Sequence, residues 1–347
     1  MITMNRIYLL LCIIGLGQCY TIERITEPLD LGEGPHWNAF NQILYFVDIT
    51  NGTINLYDPA TKEHNSTTLV NISGSGPVSF IIPVAGTTDE FLVSTGLDIR
   101  HITWDGQNDS QVQSSILYTA TQKHDGSRFN DAKVDRIGQL WAGTMGPEPT
   151  PNNITLRTGK LYSVASTTPL KSHLENILIS NGLAWTIDGS VMYYIDSGDY
   201  TVDKFDFNPT DDESLRNRQT IFNLTKEGLK GLPDGMTIDT KGNLWIACYG
   251  GYQVIVVNPD EGKLVKTIPI NASQVTSVTW GGANLNELYV TSARIGLSAD
   301  EIKKYPHSGS TFRITDLGAR GYPGDNYGMY TQPRTSGYGR PNLKHQH

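Results

Sequence analysis

The chain has 347 residues, of which 38% are hydrophobic and 18% are charged. This composition is that of a globular protein with a substantial core, and it excludes a chain that is disordered throughout. The formal net charge of -8 lacks the basic character of proteins that bind nucleic acid or anionic membranes. We therefore expect neither nucleic acid nor a membrane as a partner.

The first 19 residues are predicted to be a signal peptide. Arg6 supplies the positive n-region, Ile7–Leu16 the apolar region, and residues 17–19 a small-residue cleavage region. An apolar run of roughly 10 residues is too short to span a bilayer of about 30 Å as a helix. We therefore expect a secreted, extracellular protein that has no membrane association once the signal is removed.

The number of cysteines and the glycosylation sequons are consistent with secretion. Cys12 and Cys19 fall in the signal segment, which leaves Cys248 as the only thiol of the mature chain and excludes an intramolecular disulfide. Because Cys248 lies in the apolar run LWIACYG, it is interpreted as a buried structural thiol rather than a nucleophile. Seven sequons favour N-glycosylation of surface loops. They begin at Asn51, Asn65, Asn71, Asn108, Asn153, Asn223 and Asn271.

Six short runs of aromatic and β-branched residues recur between clusters of turn-forming residues. They are LYFVD at Leu44, FLVST at Phe91, LWAGT at Leu140, MYYID at Met192, LWIAC at Leu244 and LYVTS at Leu288. Their starts are separated by 47, 49, 52, 52 and 44 residues. A period near 50 residues with several short strands per repeat is typical of propeller blades. We therefore predict an all-β fold, a six-bladed β-propeller over residues 20–330.

Two terminal segments are predicted to close the ring. The segments YTIERIT, residues 20–26, and FRITDLG, residues 312–318, have strand-like composition and could complete the last blade together. Residues 331–347 are polar, rich in Gly and Pro, and without a pattern. We predict that they form a disordered tail.

A second element precedes each run, in which a small or polar residue leads a short apolar stretch. The six pieces are EGPHW, GPVSF, NDAKV, NGLAW, DGMTI and TSVTW, which begin at Glu33, Gly76, Asn130, Asn181, Asp234 and Thr276. Equivalent positions of successive blades converge on the central axis of a propeller, and four of these six carry a carboxylate or a carboxamide. This pattern indicates a shared site. The alternative is that Asn181-Gly and Asp234-Gly are ordinary turn dipeptides.

The chemistry of this set points to a hard cation. Glu33, Asn130, Asn181 and Asp234 offer oxygen ligands, with no Cys or His at equivalent positions. Such ligands favour calcium, while magnesium, manganese and zinc are alternatives because open sites with few ligands are metal-promiscuous. A divalent ion that polarises a carbonyl and activates water indicates hydrolysis of an ester or lactone. No GxSxG nucleophile elbow occurs, so serine catalysis lacks its motif.

Two further residues are candidates for contact with substrate. Arg128 could hold a substrate oxygen and stabilise the negative charge of a tetrahedral intermediate. The alternative is a surface arginine paired with Asp125 or Asp131. Glu148, in the loop TMGPEPTP, could accept hydrogen bonds from sugar hydroxyls at the channel mouth. The alternative is an exposed loop acid.

The chain resembles the family of regucalcin (senescence marker protein), gluconolactonase and luciferin-regenerating enzyme. The matching segments run in order from about Leu31 to Gly321 and include GEGPHW, RFNDAKVD, AGTM, ISNGLAW, PDGMTID, GNLWIACYGG and VTSVTWGG. The resemblance implies a six-bladed propeller with one divalent metal in the central channel. It also implies lactonase activity on a small-molecule aldonolactone such as glucono-1,5-lactone.

Carried over by position, the resemblance implies roles for individual residues. Glu33, Asn181 and Asp234 match the family's metal ligands, with Asp234 also the candidate general base. The residues that match its substrate contacts are Arg128, Asn130 and Glu148. The signal peptide, the loop before Asp234 and the Gly-rich tail depart from the family pattern. Two alternatives stay open: a luciferin-regenerating type of hydrolase, and a secreted calcium- or ligand-binding propeller without turnover.

Overall fold

The computed structural model describes residues 9–10, 19–69, 76–121, 124–151, 153–164, 169–211 and 213–328. The predicted tail, most of the predicted signal segment and the sequon at Asn71 lie outside the described residues. Helix is confined to one 3-10 turn, Ser197–Asp199, and one short helix, α1, Ala299–Lys304, among these residues. Over the same ranges, no helix has the length and apolar character needed to cross a bilayer.

Four sheets each consist of four antiparallel strands that follow one another in the chain. The first contains β3 (Gly32–Asn38), β4 (Ile43–Asp48), β5 (Thr53–Asp58) and β6 (Glu63–Thr68). The second contains β7 (Ile81–Pro83), β8 (Glu90–Thr95), β9 (Asp98–Thr103) and β10 (Gln113–Thr119). The third contains β11 (Arg128–Val134), β12 (Leu140–Met145), β13 (Gly159–Val164) and β14 (Lys171–Ile177). The fourth contains β15 (Ser180–Trp185), β16 (Val191–Asp196), β17 (Thr201–Phe207) and β18 (Leu215–Asn223).

The nine other described strands form a single sheet. One half contains β19 (Leu232–Ile238), β20 (Leu244–Tyr249), β21 (Gln253–Asn258) and β22 (Lys263–Pro269). The other half contains β23 (Gln274–Gly281), β24 (Glu287–Ala293), β25 (Phe312–Thr315), β2 (Thr21–Arg24) and β1 (Leu9–Leu10). The all-β, propeller-like fold is confirmed, but the prediction of six separate blades is not. Four blades are separate sheets, whereas the residue pair Tyr249–Gln274 continues the hydrogen bonding from β20 into β23.

Each of the four separate sheets and each half of the nine-stranded sheet is one unit of the propeller. The first strands of these six units are β3, β7, β11, β15, β19 and β23, and they are arranged in a ring. Strand β3 contacts β7, β11 contacts β15, β15 contacts β19, β19 contacts β23, and β23 returns to β3; the second and third sheets meet through β8 and β11. All six aromatic and β-branched runs lie in the strand that pairs with a first strand. Five of the six preceding elements lie in the first strands themselves. The exception is residues 76–80, which precede β7 without forming a strand.

The apolar core lies between successive units rather than inside one of them. One cluster joins the first sheet to the second through Tyr45 and Phe91, and another joins it to β24, where Trp37 stacks on Tyr289 with ring centroids 5.3 Å apart. The middle strands are therefore covered on both faces, which explains their unbroken apolar sequences. The outer strands β10, β18 and β22 expose most of their side chains.

The two terminal segments close the ring as predicted. Strand β2 pairs antiparallel with β25, from Thr21 opposite Thr315 to Arg24 opposite Phe312, and β25 pairs with β24. The side chain of Ile314 is fully buried in the cluster that lies between the two halves of the nine-stranded sheet. The first and last parts of the propeller thus share one sheet and one core cluster.

The variant Ile314→Ala is expected to lower the free energy of unfolding by about 2–5 kcal/mol, because it deletes buried methyl groups and leaves a cavity. The matched control is Val265→Ala on the outer strand β22, where the valine is 54% exposed and its loss is expected to cost roughly 0.5 kcal/mol or less. Urea denaturation of the two variants measures both values. Equal, small losses would show that the closing strand contributes little to stability.

Cys248 and two of the sequon asparagines lie in strands. Cys248 is fully buried in β20, as expected, and burial raises the pKa of its thiol to about 12. The sequons were expected in surface loops, but Asn65 lies in β6 and Asn223 in β18. Both are outermost strands of their sheets, so a sequon can face solvent there without lying in a loop.

Candidate active site

A pocket of about 260 Å³ lies at the end of the ring where the first strands begin. All six residues that the sequence singled out line this pocket: Glu33, Arg128, Asn130, Glu148, Asn181 and Asp234. They come from sequence positions as far apart as 33 and 234, so the ring of first strands is what brings them together. Such a pocket is slightly smaller than the roughly 300–1,000 Å³ of drug-sized sites, which suits a small molecule.

The same irregularity occurs in the strands that carry most of these side chains. Near its start, each of β3, β11, β15, β19 and β23 has one residue more than the partner strand across the same interval. Asn130, Asn181 and Asp234 lie inside these β-bulges, and Glu33 lies at the edge of one. A bulge re-aims a side chain at a local kink in the strand. The repeated bulge therefore positions the site.

Glycine follows two of these residues because neighbouring first strands approach closely. A Cβ atom at Gly182 would lie 2.7 Å from the carbonyl oxygen of Asp234, and one at Gly235 would lie 2.9 Å from the Cα of Ser277. Both glycines lie inside strands and neither has a positive φ. The interpretation of Asn181-Gly and Asp234-Gly as turn dipeptides is therefore wrong.

Hydrogen bonds from side chains to backbone carbonyls link neighbouring units around the pocket. They are Ser79 Oγ to Phe129 O at 2.7 Å, Asn130 Nδ2 to Ser180 O at 2.9 Å, Ser197 Oγ to Pro233 O at 2.6 Å and Thr276 Oγ1 to Gly32 O at 2.6 Å. Buried hydrogen bonds of this kind fix the spacing of the strands they join. The geometry of the site thus depends on contacts between units as well as within them.

Two buried carboxylates dominate the electrostatics of the pocket. Burial raises the pKa of Glu33 to about 8, and the negative charge of Asp131 contributes to the shift. Burial also raises the pKa of Asp234 well above its usual range, with the charges of Glu33 and Asp131 adding to it. Each carboxylate therefore disfavours the ionised form of the others, and a bound cation would remove that penalty.

The predicted ligand set fits a hard divalent cation. Glu33 and Asp234 supply carboxylate oxygens, and Asn181 supplies an amide oxygen that uses one lone pair to accept from Asn130 Nδ2 at 3.1 Å. Across the described residues, no three His, Cys, Asp or Glu side chains converge in a metal-binding cluster. The predicted set contains only two such side chains, Glu33 and Asp234, because its third ligand is the amide of Asn181.

Arg128 is held in place beside these oxygen atoms. Its Nη1 donates to Asn130 Oδ1 at 2.6 Å and to the carbonyl oxygen of Phe129 at 3.0 Å. Its Nη2 lies 3.7 Å from Glu148 Oε2, so the ion pair in the structure is with Glu148 rather than with either neighbouring aspartate. The Glu148 side chain is 26% exposed and lines the pocket, which differs from an exposed loop acid. The guanidinium therefore presents a fixed positive charge to the pocket.

Sequence reasoning missed most of the pocket wall. Leu178, Leu232 and Ile295 line it, as do Ser197 and Tyr249. No motif marks Leu178, Leu232 or Ile295, because isolated Leu and Ile side chains next to a strand resemble core positions. Their common property is position, since each lies at or just beyond a strand end on the side of the recognised residues.

Comparison with known proteins places this geometry in a family. Residues 31–294 match the SMP-30/gluconolactonase/LRE-like region. Regucalcin of Bos taurus is 34% identical over 299 residues, which are 86% of this chain and 95% of that protein. The solved structure of a luciferin-regenerating enzyme has a TM-score of 0.82 and 37% identity, and the match covers 89% of this chain and 99% of that chain.

A calcium-binding protein, regucalcin, from Agrobacterium tumefaciens has a TM-score of 0.76 at 22% identity, and the match covers 88% of this chain and 96% of that chain. At that identity the likeness concerns the fold alone. Membership of the family follows from the 34% identity to the bovine relative and from the family match over residues 31–294. On these findings, the chain belongs to the SMP-30/gluconolactonase/LRE-like family.

Proposed function

We propose that this protein is a divalent-metal-dependent hydrolase of lactones. The observation that supports it best is one small pocket that combines two buried carboxylates, Glu33 and Asp234, with the buried guanidinium of Arg128. Membership of a family that includes gluconolactonase supports lactone hydrolysis. The calcium-binding description of the bacterial regucalcin supports calcium as the first cation to test.

The residues of the pocket take distinct parts in this reaction. Glu33, Asn181 and Asp234 would hold the cation, which when bound would polarise the lactone carbonyl and increase the acidity of water. Asp234 accepts a proton as water adds to the carbonyl carbon. Arg128 stabilises the negative charge that develops on the carbonyl oxygen. The ring C–O bond then breaks, and the proton returns to the departing ring oxygen to give a hydroxy acid.

The direct test is hydrolysis of glucono-1,5-lactone by the chelated mature protein, with calcium, magnesium, manganese and zinc added back separately. Acid release above the spontaneous rate, restored by one of these ions, is the expected result. Metal binding without turnover on this and other lactones would instead support a binding propeller. Turnover that persists in the chelated protein would contradict the metal dependence.

The affinity for calcium is expected to rise with pH between about pH 6 and pH 9. Glu33, with its pKa raised to about 8, is protonated at the lower end of this range, and calcium has to displace that proton. Asp131 adds to the shift and Arg128 opposes it. The calcium-induced increase in Tm, measured at several pH values, should therefore grow with pH. A pH-independent increase would place the cation away from these carboxylates.

A luciferin-regenerating type of hydrolysis is the second candidate. The 37% identity to a luciferin-regenerating enzyme is the observation that favours it. The two candidates share a site and differ in the substrate, so assays on an aromatic substrate and on a sugar lactone separate them.

Three further properties complete the proposal. The two halves of the nine-stranded sheet would act as the fifth and sixth blades, since each contains one first strand of the ring. Residues 20–330 would form one domain. The protein would be secreted after loss of residues 1–19, which N-terminal sequencing of protein recovered from the medium of expressing cells tests directly.

A further inference from the structure

The wall of the active-site pocket differs sharply in character from its floor. The floor consists of the charged and amide groups at the start of the first strands, Glu148 reaches the pocket from the loop after β12, and the surrounding residues are largely aliphatic. Six of these wall residues are Leu31, Ile154, Leu178, Ile179, Leu232 and Ile295. All six are half-buried, so they line the pocket without being covered by the core. Apolar surface that remains exposed in a concave site marks a place where a ligand or partner binds.

The aliphatic wall comes from several parts of the ring. Leu31 precedes β3, Leu178 precedes β15, Leu232 begins β19 and Ile295 follows β24. Backbone bonds hold two of these positions: the N–H of Leu178 donates to Asp196 Oδ2 at 3.1 Å, and that of Ile295 donates to Asp30 O at 3.0 Å. The wall is therefore a built feature of several units rather than one stray loop.

The side-chain N–H groups of Asn130 and Asn181 and the hydroxyl of Ser197 already have partners within the protein. Asn130 Nδ2 donates to both Ser180 O and Asn181 Oδ1, at 2.9 Å and 3.1 Å. Ser197 Oγ donates to Pro233 O at 2.6 Å and accepts from Asn181 Nδ2 at 2.8 Å. Glucono-1,5-lactone has hydroxyls on three ring carbons and a hydroxymethyl group on a fourth, and several of these groups would lie against aliphatic side chains. Each hydroxyl buried without a partner costs roughly 1–3 kcal/mol in proteins, so this wall disfavours such a substrate.

We propose that the preferred substrate is a lactone with an aliphatic substituent next to the ring oxygen, rather than a polyhydroxylated aldonolactone. This inference rests on the proposed function, because the same polar floor performs the hydrolysis. The ring carbonyl lies over the floor, beside Arg128 and Asp234, and the substituent extends along the aliphatic wall.

The test compares kcat/KM of the calcium-loaded protein for δ-nonalactone, δ-valerolactone and glucono-1,5-lactone. δ-Nonalactone differs from δ-valerolactone only by a butyl group, and burial of that group should raise kcat/KM on the order of tenfold or more. Glucono-1,5-lactone should be the poorest of the three. A higher kcat/KM for glucono-1,5-lactone than for δ-nonalactone overturns the inference and leaves the proposed function intact.

Absence of turnover on all three lactones would mean that the proposed function fails, and binding then decides the inference separately. Calorimetric titration with a butyl-substituted δ-lactam and with the unsubstituted δ-lactam measures whether the wall takes an alkyl chain. Tighter binding of the butyl compound, with a negative heat-capacity change, supports an apolar wall. Equal affinities overturn it.

Two variants connect the preference to the wall. Leu178→Ser and Ile295→Ser come from different units, so a folding defect in one leaves the other informative. Each should lower the ratio of kcat/KM for δ-nonalactone to that for δ-valerolactone by about fivefold or more. The matched control is Phe40→Ser, which removes an apolar side chain that is 83% exposed and outside the pocket. Its ratio should equal that of the wild type, and an unchanged ratio in both wall variants would overturn the inference.

Discussion

Substitution of Asp234 by asparagine is expected to abolish the calcium-induced rise in Tm and to lower kcat/KM for lactone hydrolysis by about 10²–10³-fold. Asparagine keeps the shape of the side chain but removes the charge that would bind the cation and accept the proton. Because burial and neighbouring carboxylates raise the pKa of Asp234, its ionised form destabilises the metal-free protein at neutral pH. The Tm of the metal-free variant should therefore equal or exceed that of the metal-free wild type.

Differential scanning fluorimetry with and without calcium, together with the lactonase assay, measures both effects. The control is Asp260→Asn, which changes an exposed aspartate in the turn between β21 and β22 and should leave both values at the wild-type level. A variant of Asp234 that retains full calcium stabilisation would place the cation elsewhere. Retained activity without calcium binding would exclude the carboxylate from the reaction.

Substitution of Arg128 by alanine is expected to lower kcat by about 10²–10³-fold while the calcium-induced rise in Tm is retained. The reason is that the guanidinium lies beside the oxygen ligands without being one of them, with Nη1 fixed by Asn130 and the Phe129 carbonyl. Arg128→Lys should restore only a small part of the activity. Lysine keeps the charge but lacks the planar fork that makes several hydrogen bonds at once.

A useful control for Arg128 lies beyond the other end of the same strand. Arg136 forms a 2.7 Å ion pair with Asp325 and lines a different, smaller pocket. Arg136→Ala should leave kcat unchanged, although it removes an equivalent charge. Loss of calcium binding in Arg128→Ala would mean that the arginine organises the ligands, and equal kcat losses in both variants would point to a general electrostatic effect.

The sequence was sufficient to predict the repeat and the charged and amide residues of the pocket. Alignment of the short elements that precede each apolar run identified Glu33, Asn130, Asn181 and Asp234. This works because equivalent positions of successive blades lie close together around the axis of a propeller. The ring closure by residues 20–26 and 312–318 followed from composition and from the need to pair the terminal strands.

Other features depend on contacts between segments that are distant in sequence. The bulges at Asn130, Asn181 and Asp234 are differences of one residue between partner strands, and no single strand reveals its partner's register. The glycines at 182 and 235 resembled turn residues because the neighbouring strand that requires them lies in another unit. Likewise, the single residue pair Tyr249–Gln274 joins two expected blades into one sheet, and neither strand alone reveals that pairing. The aliphatic wall of the pocket is formed by residues that belong to no sequence motif.

The pairing of β2 with β25 also has a consequence for how the chain is made. Thr21 leaves the ribosome nearly 300 residues before its partner Thr315. At about 5–20 residues per second, this interval lasts roughly 15–60 s. Throughout it, one edge of the nascent propeller has no partner strand, and such an edge is a template for aggregation. A chain that terminates before Phe312 would keep this edge unpaired, because it lacks the strand that joins β2 to β24.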